Sequence, residues 1–215
     1  MALAYRIIPV TPFAQNCSIV WCRDTKLAAI VDPGGDLQRI RDEFDKLDLE
    51  LDKILVTHAH LDHAGGCAEL ARSTGVPIVG PHRDDQFWID LLPEQCRQFG
   101  FEGDAFRPDQ WLQDGDRVVL GNLTFNAIHC PGHTPGHIVF VEDDARFALA
   151  GDVLFQGSIG RSDFPRGDQH ALVNSIRQKL FPLGDDIQFI PGHGPMSTFG
   201  QERKTNPFVA DQRFG

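Results

Sequence analysis

Four side chains able to bind a metal ion crowd into six consecutive positions, His58-Ala59-His60-Leu61-Asp62-His63. The string follows an apolar run at residues 54–57 and precedes Ala64-Gly65-Gly66 and a helical pattern. In extended backbone, residues two apart point the same way. His58 and His60 can therefore grip one ion while a turn redirects Asp62 and His63 to a second. A single histidine in such a loop would be read as hydrogen-bonded or solvated. Three histidines and an aspartate together are costly to bury unpaired, and metal coordination is the usual compensation.

Three later segments repeat the design of an apolar run ending in a polar residue flanked by glycine. They are Cys130-Pro131-Gly132-His133, Ala150-Gly151-Asp152 and Ile190-Pro191-Gly192-His193-Gly194. Glycine lets the backbone turn sharply and approach an ion closely. His133, Asp152 and His193 thus join the first four as candidate ligands, more than the four that one tetrahedral ion uses. His82, His129, His137 and His170 are read as hydrogen-bonded or solvated, as lone histidines usually are.

These residues need elements to position them. Short runs rich in Val, Ile and Phe at residues 5–9, 18–22, 27–31, 54–57, 77–79, 117–120, 123–128, 138–141, 147–150 and 187–190 predict strands, punctuated by Gly, Pro and Asp. Helical spacing appears at 36–47 and at 168–180, the latter opened by Asp168 as N-cap, with further helices expected at 64–74 and 84–99. Strands alternating with helices in this way predict an α+β fold, two sheets covered by helices on their outer faces in a four-layer αβ/βα sandwich. No repeat or linker divides the chain, so residues 1–215 are read as one domain.

Composition narrows the function. A net charge of -10 and a pI near 5.2 argue against nucleic acid or an anionic bilayer as partner, and no apolar run is long enough to span a membrane. The first ten residues lack the pattern of a signal peptide, and five cysteines without a CxxC pair suit a reducing compartment, so a cytoplasmic location is expected.

Taken in order, HxHxDH, PGH, GD and PGHG make a chain that resembles the metallo-β-lactamase fold superfamily. The resemblance implies that His58, His60 and His133 bind one metal, that Asp62, His63 and His193 bind the other, and that Asp152 bridges them. Within the superfamily the chain is most similar to the short, single-domain form of the glyoxalase II group, which lacks the C-terminal helical glutathione-binding domain. The residues that carry this are His133-Thr134-Pro135-Gly136-His137, Gly160-Arg161-Ser162-Asp163-Phe164 and Asn206-Pro207-Phe208. That likeness implies a metal-dependent hydrolase cleaving a small anionic thioester, a hydroxyacylglutathione such as S-lactoylglutathione, by attack of a metal-bridging hydroxide. Two divalent ions per chain are implied, zinc in the first instance, with iron or manganese also compatible with imidazole and carboxylate ligands. Asp62 would orient the nucleophile and relay a proton, and Arg161 would bind the substrate. The alternative is a persulfide dioxygenase, which the chain resembles in HxHxDH and in the segment at 160–164, with a single iron at His58, His133 and Asp152.

Overall fold

A computed structural model describes residues 2–214, so the two end residues of the expected 1–215 span lie outside it. In chain order the first half comprises β1 (Leu3–Val10), β2 (Gln15–Cys22), β3 (Leu27–Val31), α1 (Leu37–Asp45), β4 (Glu50–Leu55), α2 (Leu61–Ala64), α3 (Cys67–Thr74), β5 (Ile78–Val79) and α4 (Gln86–Gln98). The second half comprises β6 (Arg117–Leu120), β7 (Leu123–His129), β8 (Ile138–Glu142), β9 (Phe147–Gly151), β10 (Leu154–Phe155), β11 (Ser158–Ile159), α5 (Gln169–Asn174), β12 (Gln188–Pro191), β13 (Ser197–Thr198), α6 (Phe199–Thr205) and α7 (Asp211–Phe214). One sheet runs β1-β2-β3-β4-β5 and the other β13-β12-β9-β8-β7-β6, with β10 and β11 a small hairpin. β3, β4 and β5 pair in parallel, as do β9 and β12; the other pairs are antiparallel.

Alternation along the strands divides the core into three apolar layers. Ala28 and Ile30 of β3 face α1, α3 and α4, while Ala29 and Val31 face the opposite sheet. In the second sheet Phe140 and Leu149 point inward, and Val139, Val141, Ala148 and Ala150 pack outward against α5 and α6. Period-two alternation buried on both sides of each sheet yields the expected four-layer αβ/βα sandwich. Each fully buried Phe or Leu contributes about 1.5–3 kcal/mol relative to exposure.

Three helices depart from their expected form near the site. The helix expected at 64–74 divides into α2 and α3, because the Gly66 N–H donates to Pro33 O at 2.9 Å instead of continuing α2. The one expected at 84–99 starts as a 3-10 turn at Arg83–Asp85 before α4. The Asp168 N-cap is in place, its carboxylate accepting the Ala171 N–H at 2.9 Å, but after α5 the helix widens into a π-turn at Ser175–Leu180. That turn begins where the Ser175 hydroxyl donates to Pro131 O, two residues before His133. All five cysteines are free and buried. Among the described residues no helix is long and apolar enough to cross a membrane.

Candidate metal centre

The residues expected to bind metal follow the C-terminal ends of β4, β7, β9 and β12, on loops except for Asp62 and His63 in α2, so each sheet delivers its share to one edge of the sandwich. The sheets meet there. Asn16 N donates to Gly192 O at 2.7 Å, and Asn16 Nδ2 donates to Pro191 O and Gly194 O at 3.0 and 2.8 Å, fixing β2 against the loop of His193.

Within that edge the donors form two clusters. His58, His60 and His133 bring ligand atoms within 4.8 Å of one another, and so do Asp62, His63 and His193. Asp152 faces both: its Oδ1 is 3.3 Å from His63 Nε2, and its Oδ2 is 3.5 Å from His133 Nε2 and 3.7 Å from His193 Nε2. His60 Nδ1 and His133 Nε2 approach to 2.9 Å, and Asp62 Oδ2 lies 3.1 Å from His193 Nε2. His58 Nε2, His63 Nε2 and Asp152 Oδ1 are buried and make no hydrogen bond among the described residues. Such orphaned donors are costly unless a cation completes them, so this donor set fits divalent metal.

Four of the histidines are oriented through the other ring nitrogen. His133 Nδ1 donates to Arg161 O at 2.7 Å, His193 Nδ1 to Phe13 O at 3.1 Å, and His63 Nδ1 to Asp32 Oδ2 at 2.9 Å. His58 Nδ1 meets Thr57 Oγ1 at 3.1 Å, and that hydroxyl donates onward to Asp32 Oδ2 at 2.6 Å. Partners of this kind set the tautomer and aim the remaining lone pair at an ion. Close backbone approach completes the cradle: a Cβ on Gly192 would lie 2.0 Å from Asp152 Oδ1 and 2.6 Å from His63 Cε1.

Electrostatics separates the clusters. Burial, with the neighbouring histidines, holds His58 and His60 well below the ordinary imidazole value of 6.5, and burial lowers His133 as well. For His63 burial acts downward too, but the Asp152 and Asp62 carboxylates and the Asp32 hydrogen bond outweigh it and raise the ring well above 6.5. His193 is likewise raised, its burial overcome by Asp62 and Asp152. Burial would raise Asp152, yet His63, His133 and His193 hold it far below the usual carboxylate range; Asp62 is lowered against its own burial by His63 and His193.

Two buried carboxylates at this edge escaped the sequence reading. Asp32, at φ 51°, accepts from Thr57 and His63, and Asp85 accepts from Ala59, Thr134 and Gly136. Their partners lie 25 to 51 residues away, although the Pro33-Gly34-Gly35 turn after Asp32 was a visible signal. Trp88 meets His60 edge to face, the ring centroids 4.6 Å apart. His137 is no ligand: its Nε2 accepts the Asp152 N–H at 3.0 Å, and its ring stacks on His58 at 4.6 Å. His82 and His129 stack on each other at 4.1 Å, and His170 bonds Asn174. The Arg161 guanidinium lies over Phe164 at 4.5 Å and is held as a fork by Asp163, at 2.9 and 2.8 Å.

Comparison with known proteins agrees with this geometry. The family model described as the metallo-beta-lactamase superfamily matches residues 10–193, from the end of β1 through His193. The hydroxyacylglutathione hydrolase GloC of Haemophilus influenzae is 52% identical over 205 residues, 94% of this chain and 96% of that protein. Among solved structures, the BLEG-1 B3 metallo-beta-lactamase superposes with a TM-score of 0.87 at 34% identity, covering 96% of this chain and 99% of its own. TTHA1623, solved in a di-iron-bound form, superposes with a TM-score of 0.86 at 32% identity, covering 95% and 100%. With its fold, its family-model match and its relatives in agreement over nearly the whole length, the chain belongs to the metallo-β-lactamase superfamily.

Proposed function

We propose that the protein is a hydroxyacylglutathione hydrolase that splits a thioester such as S-lactoylglutathione into acid and thiol with two divalent metal ions. The observation that carries this reading is the pair of donor clusters with Asp152 between them, its carboxylate near His63 and His193 of one and His133 of the other. The 52% identity to a hydroxyacylglutathione hydrolase supports the choice of substrate.

His58, His60 and His133 would hold one ion, Asp62, His63 and His193 the other, and Asp152 both. Ions so held supply water with its pKa lowered to about 7 and a Lewis acid for the thioester carbonyl. Zinc suits these ligands, as do iron and manganese. Asp62, kept ionised by His63 and His193, has one oxygen beside His193; the other is available to orient the attacking water and accept its proton. Arg161 would bind a substrate carboxylate in place of Asp163, since a guanidinium fork matches either. A thiolate leaves more readily than an amide nitrogen and needs no proton to depart, which suits a centre whose proton-handling carboxylate is held ionised.

Two assays run on metal-analysed protein test the reading. Close to two ions per chain with thiol release from S-lactoylglutathione is the expected result. One iron per chain with oxygen uptake on glutathione persulfide would replace it by the dioxygenase.

A further inference from the structure

Hydrolysis as described makes no use of Asp85, yet this carboxylate is fully buried and touches both chain segments that carry the all-histidine cluster. Its Oδ2 accepts the Ala59 N–H at 3.0 Å and the Thr134 hydroxyl at 2.9 Å, and its Oδ1 accepts the Gly136 N–H at 2.6 Å. Ala59 lies between His58 and His60 on the loop after β4, in the first sheet. Thr134 follows His133 on the connection from β7 to β8, in the second. Asp85 stands just ahead of α4, whose Trp88 packs against His60. All three partners donate, so the site calls for a group that only accepts. Burial pushes the carboxyl up to about 7, against three hydrogen bonds that favour the ionised form.

We propose that Asp85 is the positioning residue of the His58, His60 and His133 cluster. By clipping Ala59 to Thr134 it fixes the spacing between the two loops, and with it the affinity of that cluster for its ion. Asp32 bonds His63 directly and reaches His58 only through Thr57, so it does not join the loops of His60 and His133, and no contact ties Asp85 to Asp62, His63 or His193 among those the structure records. The inference rests on the reading that the chain holds two ions. Loss of an outer partner of this kind lowers metal affinity by roughly 10–100-fold.

The test is zinc titration of metal-free protein against a chromophoric chelator, with folding checked by circular dichroism. Asp85→Asn keeps the shape but sets an NH2 group against N–H or O–H donors. It should weaken one ion by about 10–100-fold and leave the second unchanged. In a His193→Ala background, which retains the all-histidine cluster, Asp85→Asn should weaken the remaining ion; in a His133→Ala background it should not. Thr134→Ala should weaken the same ion less, and Thr134→Ser, which keeps the hydroxyl, should restore it. Should Asp85→Asn fail to fold, the Thr134 pair decides. Equal weakening of both ions, no weakening in folded Asp85→Asn, or Thr134→Ser behaving as Thr134→Ala would each overturn the proposal. If the unaltered chain takes up only one ion, the two-ion reading is lost. Asp85 is then still judged, supported by a weaker ion in Asp85→Asn and overturned by an unchanged one.

Discussion

His58, His60 and His133 are imidazoles exposed by 8% or less, whereas the Asp62 and His193 side chains that flank buried His63 are 16% and 31% exposed. The first cluster contains no carboxylate, and burial together with the neighbouring imidazoles keeps its rings neutral. The second surrounds its rings with Asp62, Asp152 and Asp32, and those charges draw protons onto them. One lone-pair set is ready for a cation at neutral pH, and the other must release protons first. Fold and sequence spacing treat the two as equivalent halves, but their surroundings make them chemically unequal.

The largest effect expected is on the residue the halves share. Asp152→Ala should strip metal from both clusters, seen as elemental content falling toward zero. His137→Ala, which removes only the acceptor of the Asp152 N–H, should cost far less. Equal losses would mean that Asp152 does not serve both sides.

Next, Asp62→Asn should lower turnover by about 10²-fold or more, with little change in KM, because a group that handles a proton is lost while substrate contacts remain. Thiol release at matched metal content reads this out, and near-normal turnover would move the proton role off the second cluster.

A pH series sharpens the contrast. His63 and His193 are raised above 6.5 and His58, His60 and His133 lowered below it, so as pH falls protons compete first at the second cluster. Metal retained after dialysis should drop in two steps, the ion beside Asp62 leaving at the higher pH. In metal-free protein the raised pair adds stability that is full below about 6.5 and is lost as pH rises through the raised values. The lowered trio works in the opposite direction, its contribution falling away as pH drops below 6.5. A single metal-loss step would erase the distinction.

The smallest effects lie at the rim. Arg161→Ala keeps the backbone carbonyl that receives His133, so it should raise KM severalfold for a glutathione thioester and hardly alter a small neutral one. Asp163→Ala, which frees the fork, should lower KM modestly. Equal change for both substrates would make Arg161 structural.

How much of this was legible in the sequence follows from the distance over which each signal acts. The strands were visible because Val, Ile and Phe runs must face two apolar layers, and the candidate ligands because four of them share one turn. β10, β11 and β13, each two residues long, leave no periodicity to read. α6 did leave a sign that went unread: Thr198 caps it by accepting the Gln201 N–H, a threonine followed by a glutamine three residues on. Asp85 was unreadable, and Asp32 marked only by the turn that follows it, for a different reason. Each is an ordinary acidic residue until folding brings its donors from another loop, and the Arg161 fork looked free because its neighbour's geometry is set by the same loop.

Gly192 brings no side chain to the site, yet the Asp152 carboxylate and the His63 ring occupy the space where any side chain would begin. In a saturation library selected for activity, that position should therefore be as depleted of substitutions as the histidines beside it. Alanine, the mildest change elsewhere, would already be excluded there. Tolerance to mutation thus follows occupied volume as closely as it follows chemistry, and an inventory of functional groups alone would overlook one of the least replaceable residues in the chain.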